Sequence, residues 1–600
     1  MRFPTFKRKK PAVKTVRDFG GLNKLGRIGD NEFSAMENVG AERYPALSVR
    51  GRRSTLADLG SGSASLFFNE GVGWLTGSGS LFYKGEEVTG AVSGQGVEAD
   101  ERVCVNMGSK VLFFPDKTYF DVISGECGSL EETFTSTGAS HAMIQYIFDD
   151  GDAANSVRWE NNSVPANPLK NDVYFYRDDG GCHVYRYNEY GDNKWYPCYH
   201  SRYKFIHSSL PGGFREGDTV RAASNPASTT LGLDLSFEVD EVGEGYIVLR
   251  GENHFKLIYG MALAGPSMSY KYGFLGTVSR SAPDVAFACV CGNRVWGGAP
   301  DGHTVYASKL GDPFNWNAFD GIASDSYAVT IGSDGPFTGC ISYDGKPVFF
   351  KNDCAVKIYG DKPSNFSVSD PVCHGVAPGS AKSLTLCEDT LFYLGSDGVY
   401  AYGGSTPVCV SDKLGGERLS EGIGGCFSGR YYLSALDSSG KRSIYVFDPA
   451  KKLWSVQDDP GTVNILSCED DVYISAFDGE DSALISLGGK LSVDGYITGG
   501  IEESDPVWYA QTGRFFVSDP FTRRISKIWL SLDMAENTYV KIRAEYNGSD
   551  EKYSLRSYTC TRSGQKKICF APRRCADFRL IIEGKGACEL LSVSVESSVF

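Results

Sequence analysis

Seven histidines in 600 residues are few. His141, His183, His200, His207, His254, His303 and His374 fall in no HExxH or other metal-ligand spacing. No run reaches the roughly 18 apolar residues of a membrane helix. Collagen, coiled coil and helical bundle are excluded with it. No GxGxxG joins a strand to a helix, and GxxxxGK[ST] is missing, so stretches such as 71–79 (GVGWLTGSG) and 487–492 (LGGKLS) read as turns. The 17 cysteines, an odd number, include no CxxC…CxxC pair of the kind that holds zinc. Cys289 and Cys291 lie in an alternating apolar run, where cysteine acts as a small strand hydrophobe. Mostly free thiols imply assembly in a reducing cytoplasm.

Glycine and aromatics are abundant: 71 Gly, 35 Phe and 33 Tyr. With 41% hydrophobic and 22% charged residues, the chain has the means to fold around a core. This composition predicts many short strands joined by tight turns. Aromatic or β-branched runs recur, each followed by a Gly/Asp turn and a second run. They fall at 65–83, 284–306, 340–359, 384–402, 426–447 and 464–486. A spacing of roughly 40–50 residues with about four strands per unit predicts a β-propeller of about six to eight blades. The turns at Ser333-Asp334-Gly335 and Ser396-Asp397-Gly398 place glycine at hairpin corners.

The rhythm stops between 122 and 280 and changes again near 505, where six alternating strands suggest a β-sandwich. The expected layout is all-β: a basic N-terminal arm (1–17), the first part of the propeller (18–121), an inserted β-rich domain (122–280), the rest of the propeller (281–500) and a C-terminal β-sandwich (501–600). The formal charge is −14. The first 17 residues carry seven cations and no acid, which leaves −21 on the remainder. Lys7, Arg8, Lys9 and Lys10 make the arm a candidate for docking on an acidic neighbour. An acidic surface does not hold a polyanion by counterion release and suits a conduit through which one slides.

Chemistry-bearing clusters are sparse. His183, His200 and His207 share the insertion. Asp149, Asp150 and Asp152 begin like a calcium loop, but Ala154 and Asn155 break the pattern. The SDG turns resemble the Asp-boxes of sialidases, yet Pro336-Phe337 replaces the Thr-Trp of a full box. No catalytic residue, metal or cofactor is assigned, and the chain is expected not to be an enzyme.

Residues 18–53 read DFGGLNKLGRIGDNEFSAMENVGAERYPALSVRGRR. The order Phe19, Gly20, Gly21, Leu22, Asn23, then Asp30, Glu32 and Asn38, then Arg50 and Gly51 resembles the opening of phage tail nozzle (tail tubular protein B-like) β-propeller virion proteins. Residues 295–329, with Asp312-Pro313, Phe314 and Trp316, resemble a middle blade of the same family. Residues 336–360, 375–402 and 572–596 continue the likeness. Phe19–Asn23 is expected to form a turn in which Gly20 and Gly21 permit a tight reversal and Leu22 plugs the core. The resemblance implies a virion protein of the tail, assembled in the host cytoplasm. It implies a homo-oligomeric, typically hexameric ring below portal and adaptor, through which genomic DNA passes without sequence-specific binding and on which tail fibres dock. The alternatives are a distal hub or receptor-binding tail protein, and a glycan-acting propeller enzyme.

Overall fold

A computed structural model describes residues 11–600 except 90–96, 100, 138–141, 160–163, 179–180, 189–193, 225–233, 252–271, 517–522, 574, 576 and 600. Among the described residues the regular structure is β-strand, with three short 3-10 turns. Seven four-stranded antiparallel units have first strands Ala64–Phe68, Val103–Met107, Phe287–Cys291, Gly339–Tyr343, Thr385–Cys387, Ser420–Phe427 and Thr462–Ser467. Successive first strands abut around a ring, the turn Ala381–Ser383 filling the step before Thr385–Cys387, and the seventh abuts the first. The chain is therefore a β-propeller with additional β-domains.

Stacking explains the apolar runs. In Lys110–Phe114 (KVLFF), Val111 and Phe113 pack against Phe67 and Leu75 of the preceding unit, while Leu112 and Phe114 pack against Val295 and Trp316 of the following one. A strand alternates its side chains between two faces, so a blade covered on both faces reads as continuously hydrophobic. Each interface has its own cluster. Examples are Trp296 with Phe349, Phe350 with Tyr393, and Trp74 with Tyr473. The ring closes non-locally: Ser54–Ser61 is the outer strand of the seventh unit, antiparallel to Asp481–Ser486.

Three expected boundaries move. Residues 12–50 leave the propeller and join the C-terminal domain. Ala12–Val16 pairs with Cys588–Val599, Phe33–Glu37 pairs with Val507–Phe516, and Val39–Gly40 and Leu47–Val49 bridge Leu453–Asp458 to Cys588–Val599. Cys127–Ser129 completes the second unit, so the insertion begins at Glu132, not at 122. Part of the expected basic arm, residues 12–16, is a paired strand, while Lys7, Arg8, Lys9 and Lys10 lie outside the described residues.

The insertion holds an eight-stranded and a four-stranded sheet. Its stem is tied by Arg280, which is buried, contacts Asp218, and donates to the carbonyls of Leu130 (3.0 Å) and Gly213 (2.8 Å). Arg215 lies over the Phe314 ring at 3.7 Å, fastening the insertion to the third unit. Among the cysteines, Cys387 and Cys426 form a disulfide between the fifth and sixth units, with 14 other described cysteines free.

Candidate functional site

The residues singled out at the N-terminus converge on one latch between propeller and sandwich. Gly21 has φ +71, and a β-carbon there would stand 2.6 Å from the Trp454 carbonyl oxygen. That closeness lets Leu22 donate its N–H to Trp454 O at 2.7 Å, so the segment seats on the outer strand of the sixth unit. Phe19 and Leu22 are buried beside Phe33 and Trp454, as the expected plug requires. Gly20 N–H donates to Asn31 O at 2.7 Å, and Asn23 donates its side-chain amide to Glu32 at 2.8 Å. Burial raises the Glu32 carboxyl, but the Gly29 N–H, Lys413 and Asn23 outweigh it and hold it below the usual range. Asp30 lies at the rim, paired with Lys14.

Asn38 and Arg50 form the second half of the latch. Asn38 adopts φ 59 and donates its side-chain amide to Val507 O at 2.7 Å. Its Oδ1 accepts from Arg50 Nε at 2.9 Å and from Asp458 N–H at 3.0 Å. Arg50, 5% exposed at its side chain, meets Asp458 at 3.0 Å and also contacts Glu503. Arg53, beside it, donates to Gln457 at 3.1 Å and to Asp458 O at 2.8 Å. Burial, and then the neighbouring Arg50, pull the Arg53 guanidinium down to about 10, so it stays charged at neutral pH. Gly51 has open space around it, and its place in the motif has no steric explanation. These contacts lock the strand that follows, Ser54–Ser61, which closes the ring.

The axis of the propeller holds a cavity of about 530 Å³, lined by residues from all seven units and by none from the insertion. Its wall includes Phe68, Phe287, Asn106, Asn464, Arg102 and Lys382, and among the described lining residues there is no carboxylate. Arg102 is wholly buried; its Nε reaches Asp116, equally buried, at 2.8 Å, and Nη1 donates to Thr76 O at 3.3 Å. Lys382 contacts the Ala99 carbonyl. Acids gather instead at one mouth, on the corners between first and second strands: Glu70, Asp344, Glu388, Asp389, Glu469 and Asp470, all exposed. Several corners are two-residue hairpins with both residues at positive φ, such as Asp344-Gly345 (51 and 66) and Ser428-Gly429 (51 and 70). That geometry selects Asn, Asp and Gly at the tips. Asp344 lies 3.9 Å from Lys346, and Asp470 pairs with Lys490.

The other sequence candidates stay apart. His200 and His207 flank the six-residue strand Ser201–Ile206, about 20 Å of extended chain, and His183 sits in the other sheet of the insertion. His141 and His254 lie outside the described residues. No potential metal-holding group of three His, Cys, Asp or Glu occurs among the described residues. Asp150 and Asp152 bind Arg186 at 2.6 and 3.0 Å, so the calcium-like loop is an ion-pair corner. Sequence reading missed the axial Arg102 and Lys382 and the corner acids. They are spread over five of the seven repeats, and only ring closure brings them together.

No family model matches the chain, and no curated protein does. Among solved structures it is similar to an exo-β-1,3-galactanase from Phanerochaete chrysosporium, at 10% identity over 50% of this chain and 92% of that one, with a TM-score of 0.20. It is similar to an engineered family 43 glycoside hydrolase with endo-xylanase and exo-arabinofuranosidase activity, at 8% identity over 53% and 97%, TM-score 0.20. It is also similar to PorZ, a surface component of the type-IX secretion system of Porphyromonas gingivalis, at 10% identity over 93% and 99%, TM-score 0.22. The expectation that the chain is not an enzyme finds no support in these likenesses, two of the three structures being glycoside hydrolases. At these identities and TM-scores the likenesses assign no fold, activity or residue to this chain.

Proposed function

We propose that the chain is a structural component of a phage tail, a nozzle-type ring protein whose copies surround the DNA path. The observation that carries the reading is the latch. The residues that resemble the nozzle family's opening (Phe19, Gly21, Leu22, Asn23, Asn38 and Arg50) are the ones that fasten the ring-closing strand to the C-terminal sandwich. A second observation sets the geometry. A cavity of 530 Å³ equals a cube about 8 Å on edge, narrower than the roughly 12 Å major groove of B-DNA alone. In this reading DNA runs between copies arranged in a ring, not through one propeller. The portal, adaptor and tail fibres are the partners of this reading, and Lys7–Lys10 supply its docking arm.

The test is peptide mass spectrometry of purified particles from the source, with the portal as internal standard. A count near half that of the portal is expected, a sixfold ring under a twelvefold portal. A chain lacking residues 1–10 is expected to enter particles less well. Absence of the full chain from particles rejects the reading.

The mouth of the axial cavity favours a second reading, a glycan-acting propeller. The cavity has the volume of a small-molecule site. Glu70, Glu388, Asp389 and Glu469 at its rim are the exposed carboxylates that acid–base chemistry would use. Turnover of model glycosides that Glu388→Gln or Glu469→Gln abolishes establishes it. Activity unchanged in both variants removes these residues from the reaction.

A further inference from the structure

The charge of this chain is divided by domain. The propeller sequence, residues 51–131 and 281–500, carries a formal −17, whereas residues 501–600 carry +2. The positive charge is concentrated further on one edge of the sandwich. Tyr553–Thr559 and Gly564–Phe570 are the terminal strands of the two sandwich sheets, joined by the turn 560–563. On and beside them Lys552, Arg556, Arg562, Lys567 and Arg573 are exposed, and Lys566 is half-buried. None of the six makes an ion pair among the described residues, and Asp550 and Glu551 at the adjoining turn are the nearest acids in sequence. Arg573 is held by the Tyr553 ring at 3.8 Å, and Arg556 by the Cys569 carbonyl at 3.2 Å.

Placement makes this edge available. The sheet of the sixth propeller unit continues without interruption through Val39–Gly40, Leu47–Val49, Cys588–Val599 and Arg523–Met534 to Gly564–Phe570. Eight strand spacings of about 4.8 Å put that last strand roughly 38 Å along the sheet from Ser420–Phe427, the innermost strand of the sixth unit. The basic edge is thus the outer end of a radial arm, while the acidic corners ring the axis. Lysines on an open strand also discourage edge-to-edge pairing, but either sign does that. Here the sign is the opposite of the propeller's.

We infer that the strands Tyr553–Thr559 and Gly564–Phe570 dock, through Lys552, Arg556 and Lys567, on the acidic corners Glu70, Glu388, Asp389 and Glu469 of a second copy of this chain. Those four acids make no ion pair among the described residues, so neither side must first break one. The two surfaces differ, so the contact is heterologous and propagates head to tail, closing into a ring or continuing as a filament. The inference deepens the ring reading above and takes from it only the identity of the partner as another copy.

The experiment is sedimentation velocity of the full chain from about 50 mM to about 500 mM salt, a range over which exposed charge pairs are progressively screened. Association that weakens with salt is expected. The exposed-surface variant Lys552→Glu/Arg556→Glu/Lys567→Glu is expected to weaken it by at least about tenfold, and Glu70→Lys/Glu388→Lys/Glu469→Lys by a similar factor. Combining the two sets restores association, which misfolding of either triple variant does not do. A monomer at every salt and concentration overturns the inference, as does wild-type association in the first triple variant. Binding of a labelled DNA duplex that the first triple variant loses, with self-association unchanged, overturns it in favour of a nucleic-acid edge. Particle composition is measured separately, so absence from particles rejects the tail reading and leaves this docking result standing.

Discussion

Replacing Arg102 by alanine is expected to cost about 3–5 kcal/mol of stability, because it removes one partner of a buried ion pair. Both Arg102 and Asp116 are wholly buried, and the guanidinium also satisfies the carbonyls of Leu75 and Thr76 at 3.4 and 3.3 Å. These bonds join the first unit to the second beside the axis. Truncation leaves the buried Asp116 carboxylate without its cation and takes one donor from the Leu75 carbonyl, while Thr76 O keeps the Gly79 N–H at 3.1 Å. The cost comes from the abandoned charge, not from the worth of the pair itself. The double variant Arg102→Met/Asp116→Leu is therefore expected to recover most of the loss. Denaturant midpoints of the two single variants and the double decide the matter. A single-variant loss below about 1 kcal/mol means that water reaches Asp116.

The repeat was legible because each blade is buried on both faces, and that leaves a mark in every second strand: KVLFF at 110–114, KPVFF at 346–350 and TLFYLG at 390–395. The closing strand left no such mark. Ser54–Ser61 (STLADLGS) alternates buried and exposed positions, because its outer edge carries only Ile501–Glu502, and its main partner lies more than 400 residues away. Non-local pairing also misplaced residues 12–50. Four short strands in a row look like the start of a propeller, but their partners are at 453–458, 507–516 and 588–599. The motif residues were identifiable by their order, and Gly21 and Leu22 behave as a tight reversal and a plug should. The bond between Asn38 and Arg50 was not derivable, since two polar residues 12 apart across a turn have many equally good alternatives. The axial cavity and its acidic mouth were illegible for a different reason. Each unit supplies between one and five lining residues, none remarkable in its own repeat, and the site exists only once seven units have closed.

Gly21→Ala tests whether the latch holds the ring. The residue sits at φ +71, where a β-carbon costs about 1–2 kcal/mol in the backbone alone. That carbon would also stand 2.6 Å from Trp454 O, and the obstacle is backbone, which has no rotamer with which to give way. Relief requires the segment to lift from the sixth unit, which breaks the Leu22 N–H bond to Trp454 O and draws on the paired bonds Phe33 N–H to Gly21 O and Asn23 N–H to Phe33 O. One lost hydrogen bond adds about 1 kcal/mol, so the expected total is about 2–4 kcal/mol. Gly26→Ala is the control, because Gly26 has no atom within 4 Å of a new β-carbon and needs no positive φ. It is expected to change stability by less than about 0.5 kcal/mol. Hydrogen exchange separates local from global effects. If the latch clamps the ring, Gly21→Ala speeds exchange in Ser54–Ser61 as well as in 19–23, because the closing strand is freed when its anchor at Arg50 and Arg53 loosens. Faster exchange confined to 19–23, with the closing strand as protected as in the wild type, means that pairing with Asp481–Ser486 holds the ring without the latch.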